Sequence, residues 1–144
     1  MSTQFAVLHC EKGKSTGGAL GDHIDRAEGQ QHTYEHADPA RRHLNKNYAV
    51  TEHCRLPLEQ AVARRIEEGY TGKRGIRKDA IRYMTTILSG SAERMGELLQ
   101  DGLQFQQWIQ ANYDFACKEF GKENIVRFAL HMDEKTPHIH CVTV

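Results

Sequence analysis

Three of the nine histidines of this 144-residue chain fall within ten residues, HMDEKTPHIH, residues 131–140. His138 and His140 are two apart, a spacing that puts both side chains on one face of an extended strand. His131 stands seven residues before His138, across DEKTP, a stretch with the composition of a tight turn. If the flanking segments pair as antiparallel strands, three neutral imidazoles meet at one point. Part of the coordination sphere then stays open for water or substrate, the arrangement of a catalytic rather than a structural metal centre. Manganese or magnesium is the expected ion in a cell, while three imidazoles also suit zinc, nickel or copper. Asp133 and Glu134 in the turn add further ligands, acid/base groups, or carboxylates that orient a histidine through its second nitrogen. The plainer reading is a solvated hairpin in which Pro137 only shapes the turn.

Strands must bring these residues together. NIVRFALHM and HIHCVTV read as two strands joined by DEKTP, hence antiparallel neighbours. QFAVLHC and AIRYMTTILSG read as two more. LPLEQAVARRIEEGY has Leu58, Ala61, Val62, Ile66 and Tyr70 at helical spacing. Ser91 is placed to cap AERMGELLQ. LQFQQWIQANYDFACKEFG carries Phe105, Trp108, Ile109, Tyr113 or Ala116, and Phe120 on one face, and Gly121 ends it. ALGDHIDRAEG reads as a short helix, and HTYEHADPARRHLNKNY as a long surface loop of the kind that usually carries function. The order β, α, β, α, α, β, β predicts an α+β fold, with helices packed on one face of a mainly antiparallel sheet.

Length fits one domain, residues 1–144. No apolar run spans a bilayer and no secretory signal precedes the first strand. Cys10, Cys54, Cys117 and Cys141 form no CxxC pair, so they read as free thiols of a reducing cytoplasm. A net charge of zero is unevenly spread. Arg64, Arg65, Lys73, Arg74, Arg77, Lys78 and Arg82 face only Glu67, Glu68 and Asp79 in the same stretch, whereas residues 93–134 are acidic. The basic middle suits a polyanion, with Lys73, Arg74, Arg77 and Lys78 as candidate phosphate contacts that set affinity without reading sequence.

HMDEKTPHIH is similar to the third motif of MobV-type relaxases, the plasmid mobilisation and recombination (Pre/Mob) family. GGALGDHIDR resembles the first motif, an HxxR here made by His23 and Arg26. DPARRHLN resembles the second, and RGIRKDAI a further family segment. The matches lie in order and span nearly the whole chain. The resemblance implies an HUH-like relaxase fold and metal-dependent, strand-specific nicking of DNA at a plasmid transfer origin, in bacterial cytoplasm. A coupling protein or other relaxosome proteins would be its cellular partners. It implies His131, His138 and His140 as metal ligands, Glu134 as the acid beside them, His23 as the nucleophile and Arg26 as its partner. His23 and Arg26 are three apart, so one helical face would present both, with the arginine free to hold a phosphate in its fork. Asn45, Arg41 and Arg42 of the second motif are expected to touch DNA. Relatives carry asparagine followed by tyrosine in that motif. Here Lys46 follows Asn45, and the tyrosine comes at Tyr48, the competing nucleophile. Relatives also continue beyond the third motif, so a catalytic domain cut short at its C-terminal end is expected. The rival readings are a rolling-circle replication initiator with the same chemistry, and a metal-stabilised DNA-binding module without catalysis.

Overall fold

The computed structural model describes Gln4 and residues 6–144. Five strands, β1 (Ala6–Gly13), β2 (Lys46–Asn47), β3 (Tyr83–Gly90), β4 (Ile125–His131) and β5 (His138–Thr143), form one sheet in the order β1-β3-β5-β4-β2. Every neighbouring pair is antiparallel. The helices are α1 (Gly18–Ile24), α2 (Leu58–Gly69), α3 (Ala92–Leu99) and α4 (Gly102–Phe120). The first strand expected from QFAVLHC is present from Ala6 and runs on to Gly13, while Gln4 precedes it and Phe5 lies outside the described residues.

The expectation that helices cover one face is corrected. Ile139 and Cys141 of β5 pack with Met95, Leu98, Phe105, Ile109 and Ala116 of α3 and α4. Val142 of the same strand packs with Ile24, Leu58, Ala61 and Val62 of α1 and α2. Alternate residues of one strand thus feed two cores, and the sheet is the middle of three layers. The physical cause lies in β4, where all seven residues are buried. A strand apolar on both faces needs cover on both.

Local chemistry sets the helix ends. The Ser91 hydroxyl accepts from Arg94 N–H at 3.3 Å and caps α3. The Asp101 carboxylate accepts from Leu103 and Gln104 N–H and caps α4, which stops where Gly121 turns to φ 83°. Ala61 and Val62 of α2 are buried as its spacing predicts, but Tyr70 is 48% exposed. The long polar segment after α1 is not featureless. It makes 3-10 turns at Gln31–Thr33 and Pro39–Leu44 and the short strand β2, and it buries Tyr34. No helix among the described residues is long and apolar enough to cross a membrane.

Candidate metal and DNA-processing site

His138 and His140 stand on the α1/α2 face of β5, the face opposite Ile139 and Cys141. His131 pairs with His138 across the β4–β5 ladder, so it shares that face. The ring centroids of His131, His138 and His140 lie 4.6–5.3 Å apart. α1 delivers a fourth imidazole. His23 lies 5.6 Å from the His140 ring and 6.1 Å from that of His131. α1 gets this close because Gly21 has no side chain, and a Cβ there would stand 2.8 Å from that of Leu58.

Ligand atoms of His23, His131, Glu134 and His140 all lie within 4.8 Å of one another. His138 is outside this set of four, although its Nε2 is 3.1 Å from His140 Nε2 and 3.2 Å from the Glu134 carboxylate. Backbone carbonyls hold the second nitrogen of three rings. His23 Nδ1 donates to Thr33, His131 Nε2 to Ile24 at 2.8 Å, and His138 Nδ1 to Thr136 at 2.9 Å. A carbonyl can only accept, so each of these nitrogens carries the proton, and a ring that is neutral keeps its lone pair on the other nitrogen. His140 Nδ1 is buried with no partner.

Electrostatics favour neutral rings at the centre. Burial, then the neighbouring rings of His131, His138 and His23, pushes His140 down to about 2. His131 is lowered as well, first by burial. His138 is raised, because hydrogen bonds to Glu134 and Thr136 outweigh its burial. The His131 and His138 rings beside it, with Arg26, hold the Glu134 carboxyl far below the usual range, so it is an anion at any ordinary pH. Such a group accepts hydrogen bonds or binds a cation; it is not a proton donor.

Arg26 departs from the expected geometry. α1 ends at Ile24, and Arg26 sits beyond it in a left-handed conformation, φ 50°, so it does not share a helical face with His23. Its side chain turns inward to 7% exposure. The fork expected to grip a phosphate is filled by Asp133, through Nε at 3.0 Å and Nη2 at 2.8 Å. Nη2 also donates to Glu134 at 3.0 Å and to His131 Nδ1 at 3.3 Å, and Nη1 to the His23 carbonyl at 2.7 Å. Tyr34 packs beneath it, 5.5 Å from the guanidinium, with Arg42 4.9 Å from the same ring. Asn45 joins the network where its Oδ1 accepts from Met132 N–H at 2.6 Å. Arg26, Asn45 and Asp133 therefore lock three distant segments together. A left-handed arginine carries a backbone cost that only such over-determination sustains.

Tyr48 is on the wrong side. It packs on Phe128, 6.0 Å between rings, within the α3/α4 core and across the sheet from the histidines. Burial raises its hydroxyl further. The basic residues Lys73, Arg74, Arg77 and Lys78 are all exposed, in the loop that leads into β3 at Tyr83. Ile87 of β3 lies opposite His140, so the loop joins the sheet four residues away, about 13 Å along the strand. Arg82 organises that loop by donating to the carbonyls of Lys14, Lys78, Ala80 and Arg77. Arg41 is exposed too, and Arg42 half-buried.

Sequence reasoning missed the carbonyls of Thr33 and Ile24, which carry no residue-type signal. It also missed Arg127, 1% exposed on β4, which donates to Asp25 at 3.0 Å and to the carbonyls of Cys54 and Leu56. An arginine inside the apolar run NIVRFALHM was a readable sign of a buried partner.

Known proteins share this sequence pattern and this fold. The family described as plasmid recombination enzyme (Mob_Pre) matches residues 2–144. Plasmid recombination enzyme type 1 of Staphylococcus aureus is 28% identical over 129 residues, covering 90% of this chain and 31% of the relative. The plasmid recombination enzyme of Lactiplantibacillus plantarum is 30% identical over 139 residues, covering 94% and 37%. The chain thus spans about a third of the length of the curated relatives it matches. Among solved structures, the MobM relaxase domain, bound to manganese and to plasmid pMV158 oriT DNA, superposes with a TM-score of 0.82 at 24% identity, over 97% of this chain and 70% of that one. A second structure of that domain, on DNA bearing a 3′ thiophosphate, gives 0.78 at 26% identity.

Proposed function

The chain belongs to the plasmid recombination enzyme family, and from that premise we propose that it is an HUH-type relaxase catalytic domain. It nicks one strand of plasmid DNA at a transfer origin and keeps the cut end as a covalent adduct. The observation that carries this reading is the meeting of His23, from α1, with the imidazoles of β4 and β5 around the Glu134 carboxylate.

The donor set fits a divalent cation. Neutral imidazoles and one permanent carboxylate converge within 4.8 Å, and the unpartnered Nδ1 of His140 leaves the tautomer of that ring unfixed. His131, His140 and Glu134, with His138 at their rim, would hold manganese or magnesium; manganese is the ion bound to the MobM relaxase domain. Such an ion supplies Lewis-acid stabilisation of charge developing on a phosphodiester.

The protein's own groups do the rest. His23 keeps its Nδ1 proton on the Thr33 carbonyl, so Nε2 presents its lone pair. Nε2 attacks phosphorus and forms a P–N bond. The P–O3′ bond breaks, the 5′ phosphate stays on the protein, and the 3′ oxygen leaves and takes a proton to become a free hydroxyl. Because the phosphodiester's energy is kept in the adduct, the strand can be rejoined. Arg26 does not touch the phosphate; it holds Asp133, Glu134 and the His23 carbonyl in register.

The test is relaxation of supercoiled plasmid carrying the chain's own origin. Nicking is expected with Mn²⁺, absent with a chelator, and absent in His140→Ala, whose far-ultraviolet circular dichroism stays that of the parent. A chelated protein that melts instead would make the ion structural and sink the catalytic reading.

Lys73, Arg74, Arg77 and Lys78, in the loop that joins β3 about 13 Å along the strand from the residue opposite His140, would meet phosphates distant from the cut. Reversing these four charges is expected to weaken DNA binding alike on every sequence. The slope of log K against log salt should fall by roughly one unit for every phosphate that the loop no longer neutralises. An unchanged slope would mean that the loop faces away from DNA.

A further inference from the structure

α1 has little of its own to fix where it points. It is seven residues long, too short to be stable by itself. Its N-cap, Gly17, has no side chain to close the first turn, and its contact with Leu58 of α2 is made by Gly21. Yet its last turn carries His23, and a nucleophile misplaced by about 1 Å loses on the order of a hundredfold in rate. Contacts outside the helix must set its position.

β4 and the turn after it tie down three successive residues at the end of α1. The Ile24 carbonyl accepts from His131 Nε2 at 2.8 Å. Arg26 pairs with Asp133 at 2.8 Å. Asp25, between them, accepts from Arg127 Nη2 at 3.0 Å. The first two ties run to the His131 end of β4. The third starts four residues earlier, about 13 Å of strand away. Ties gathered at one end leave α1 free to swing about them, and a tie offset along the strand removes that freedom.

Arg127 suits this task better than it suits a core. Its side chain is 1% exposed, and its ion-pair partner Asp25 is 33% exposed. Its fork also donates to the Cys54 and Leu56 carbonyls, and the Cys54 carbonyl accepts from Asn47 as well. The guanidinium is thus held against the segment before α2, yet its Nε is buried with no partner. An apolar residue would fill the same place on β4 at less cost than an incompletely paired cation. The order of charges gives the pair a use. The end of α1 reads acid then base, Asp25 then Arg26, while β4 and its turn read base then acid, Arg127 then Asp133. Slipping α1 along β4 would bring Arg26 toward Arg127, or Asp25 toward Asp133, like charges with little water between them.

Taking the chain as a relaxase, as above, we propose that Asp25 and Arg127 are positioning residues for the nucleophile: their pair sets the register of α1 on β4 and so aims His23 at the scissile phosphate. Neither acts on the phosphate itself. Both work through the two turns of helix that Asp25 terminates.

The test is the single-turnover rate of covalent capture, with Mn²⁺, of a labelled single strand carrying the chain's own origin. Asp25→Ala is expected to slow capture at saturating DNA on the order of a hundredfold. The DNA concentration that half-saturates the rate is expected to stay at the parent value. Asp25→Asn keeps an acceptor for Arg127 and is expected to recover most of the rate. Arg127→Met/Asp25→Ala strands no charge, so it tests the pair even if Asp25→Ala folds poorly. It is expected to melt at or above the Asp25→Ala midpoint and still to capture slowly. A pair that matters only for folding would regain rate along with stability, so a double variant that captures at the parent rate overturns the proposal. So does an Asp25→Ala variant with the parent rate, or one whose loss lies in the half-saturating concentration. Parent protein that captures no strand at all overturns the relaxase reading instead.

Discussion

His23→Ala is expected to form no covalent protein–DNA adduct, while Tyr48→Phe is expected to form it at the parent level. The expected loss in His23→Ala is on the order of a thousandfold or more, since the proposal gives the other imidazoles of the site to the metal and leaves no second nucleophile. Tyr48 is separated from the cluster by the sheet itself, within the α3/α4 core. No side-chain rotation brings it round. The linkage gives a second, independent reading. A phosphorus–nitrogen bond to histidine hydrolyses on brief acid treatment, whereas a phosphotyrosine ester survives it. Denaturing gels of adduct made on labelled single strands, before and after acid, report both results at once. An acid-stable adduct that persists in His23→Ala would give the role to a hydroxyl.

The largest effect on stability is expected at Asp133. Its side chain is 0% exposed and that of Arg26 3%, with 2.8 Å between them. Breaking a buried pair by removing one partner strands the other charge and costs about 3–5 kcal/mol. For a chain of this length that lowers the melting midpoint by roughly 10 °C or more. Asp133→Ala should show this loss by thermal denaturation, and Arg26→Met/Asp133→Leu should recover much of the stability without recovering activity. The pH dependence has a fixed sign. Burial would raise the Asp133 carboxyl, but the hydrogen bonds and charge of Arg26, with the Asn45 amide nearby, outweigh it and hold the group below its usual value. A lowered carboxylate stabilises the fold above the unfolded value of ~4, and that contribution fades as pH falls through the lower, folded one. Parent protein should therefore lose stability steeply below about pH 4, and Asp133→Ala much less so in the same window. A parent-like acid slope in the variant would remove Asp133 from the account.

The cluster on β4 and β5 was legible because strand alternation is a strict period of two, and a connection of only six residues leaves the pairing little choice. The caps at Ser91 and Asp101 and the stop at Gly121 are equally local, and α2 and α4 follow from helical spacing. What escaped was whatever depends on backbone direction after an element ends. α1 stops at Ile24, one turn earlier than the run of polar helix formers suggests, and the left-handed turn at Arg26 sends its side chain into the protein rather than along a helical face. No residue type announces that turn. Tyr48 escaped for a related reason. β2 is two polar residues long, too short to show alternation, and the side of the sheet that Tyr48 faces is set by that strand's register against Ala129. The second helical layer could have been read from NIVRFALHM, whose apolar residues fall on both faces of the strand.

The strand order has a consequence for how the molecule is made. β5 is the latest of the five strands in the chain, yet it lies at the centre, between β3 and β4. During synthesis, β1 and β3 can pair as soon as both have left the ribosome, and so can β2 and β4, but no strand ladder joins the two halves. Until residues 138–143 arrive, β3 and β4 each keep a bare row of amides and carbonyls, the kind of edge that recruits other chains. Inserting β5 closes both edges in one step and brings in His138 and His140 together. The growing chain is thus most prone to aggregate just before it acquires His138 and His140, and the cluster cannot form on any shorter nascent length.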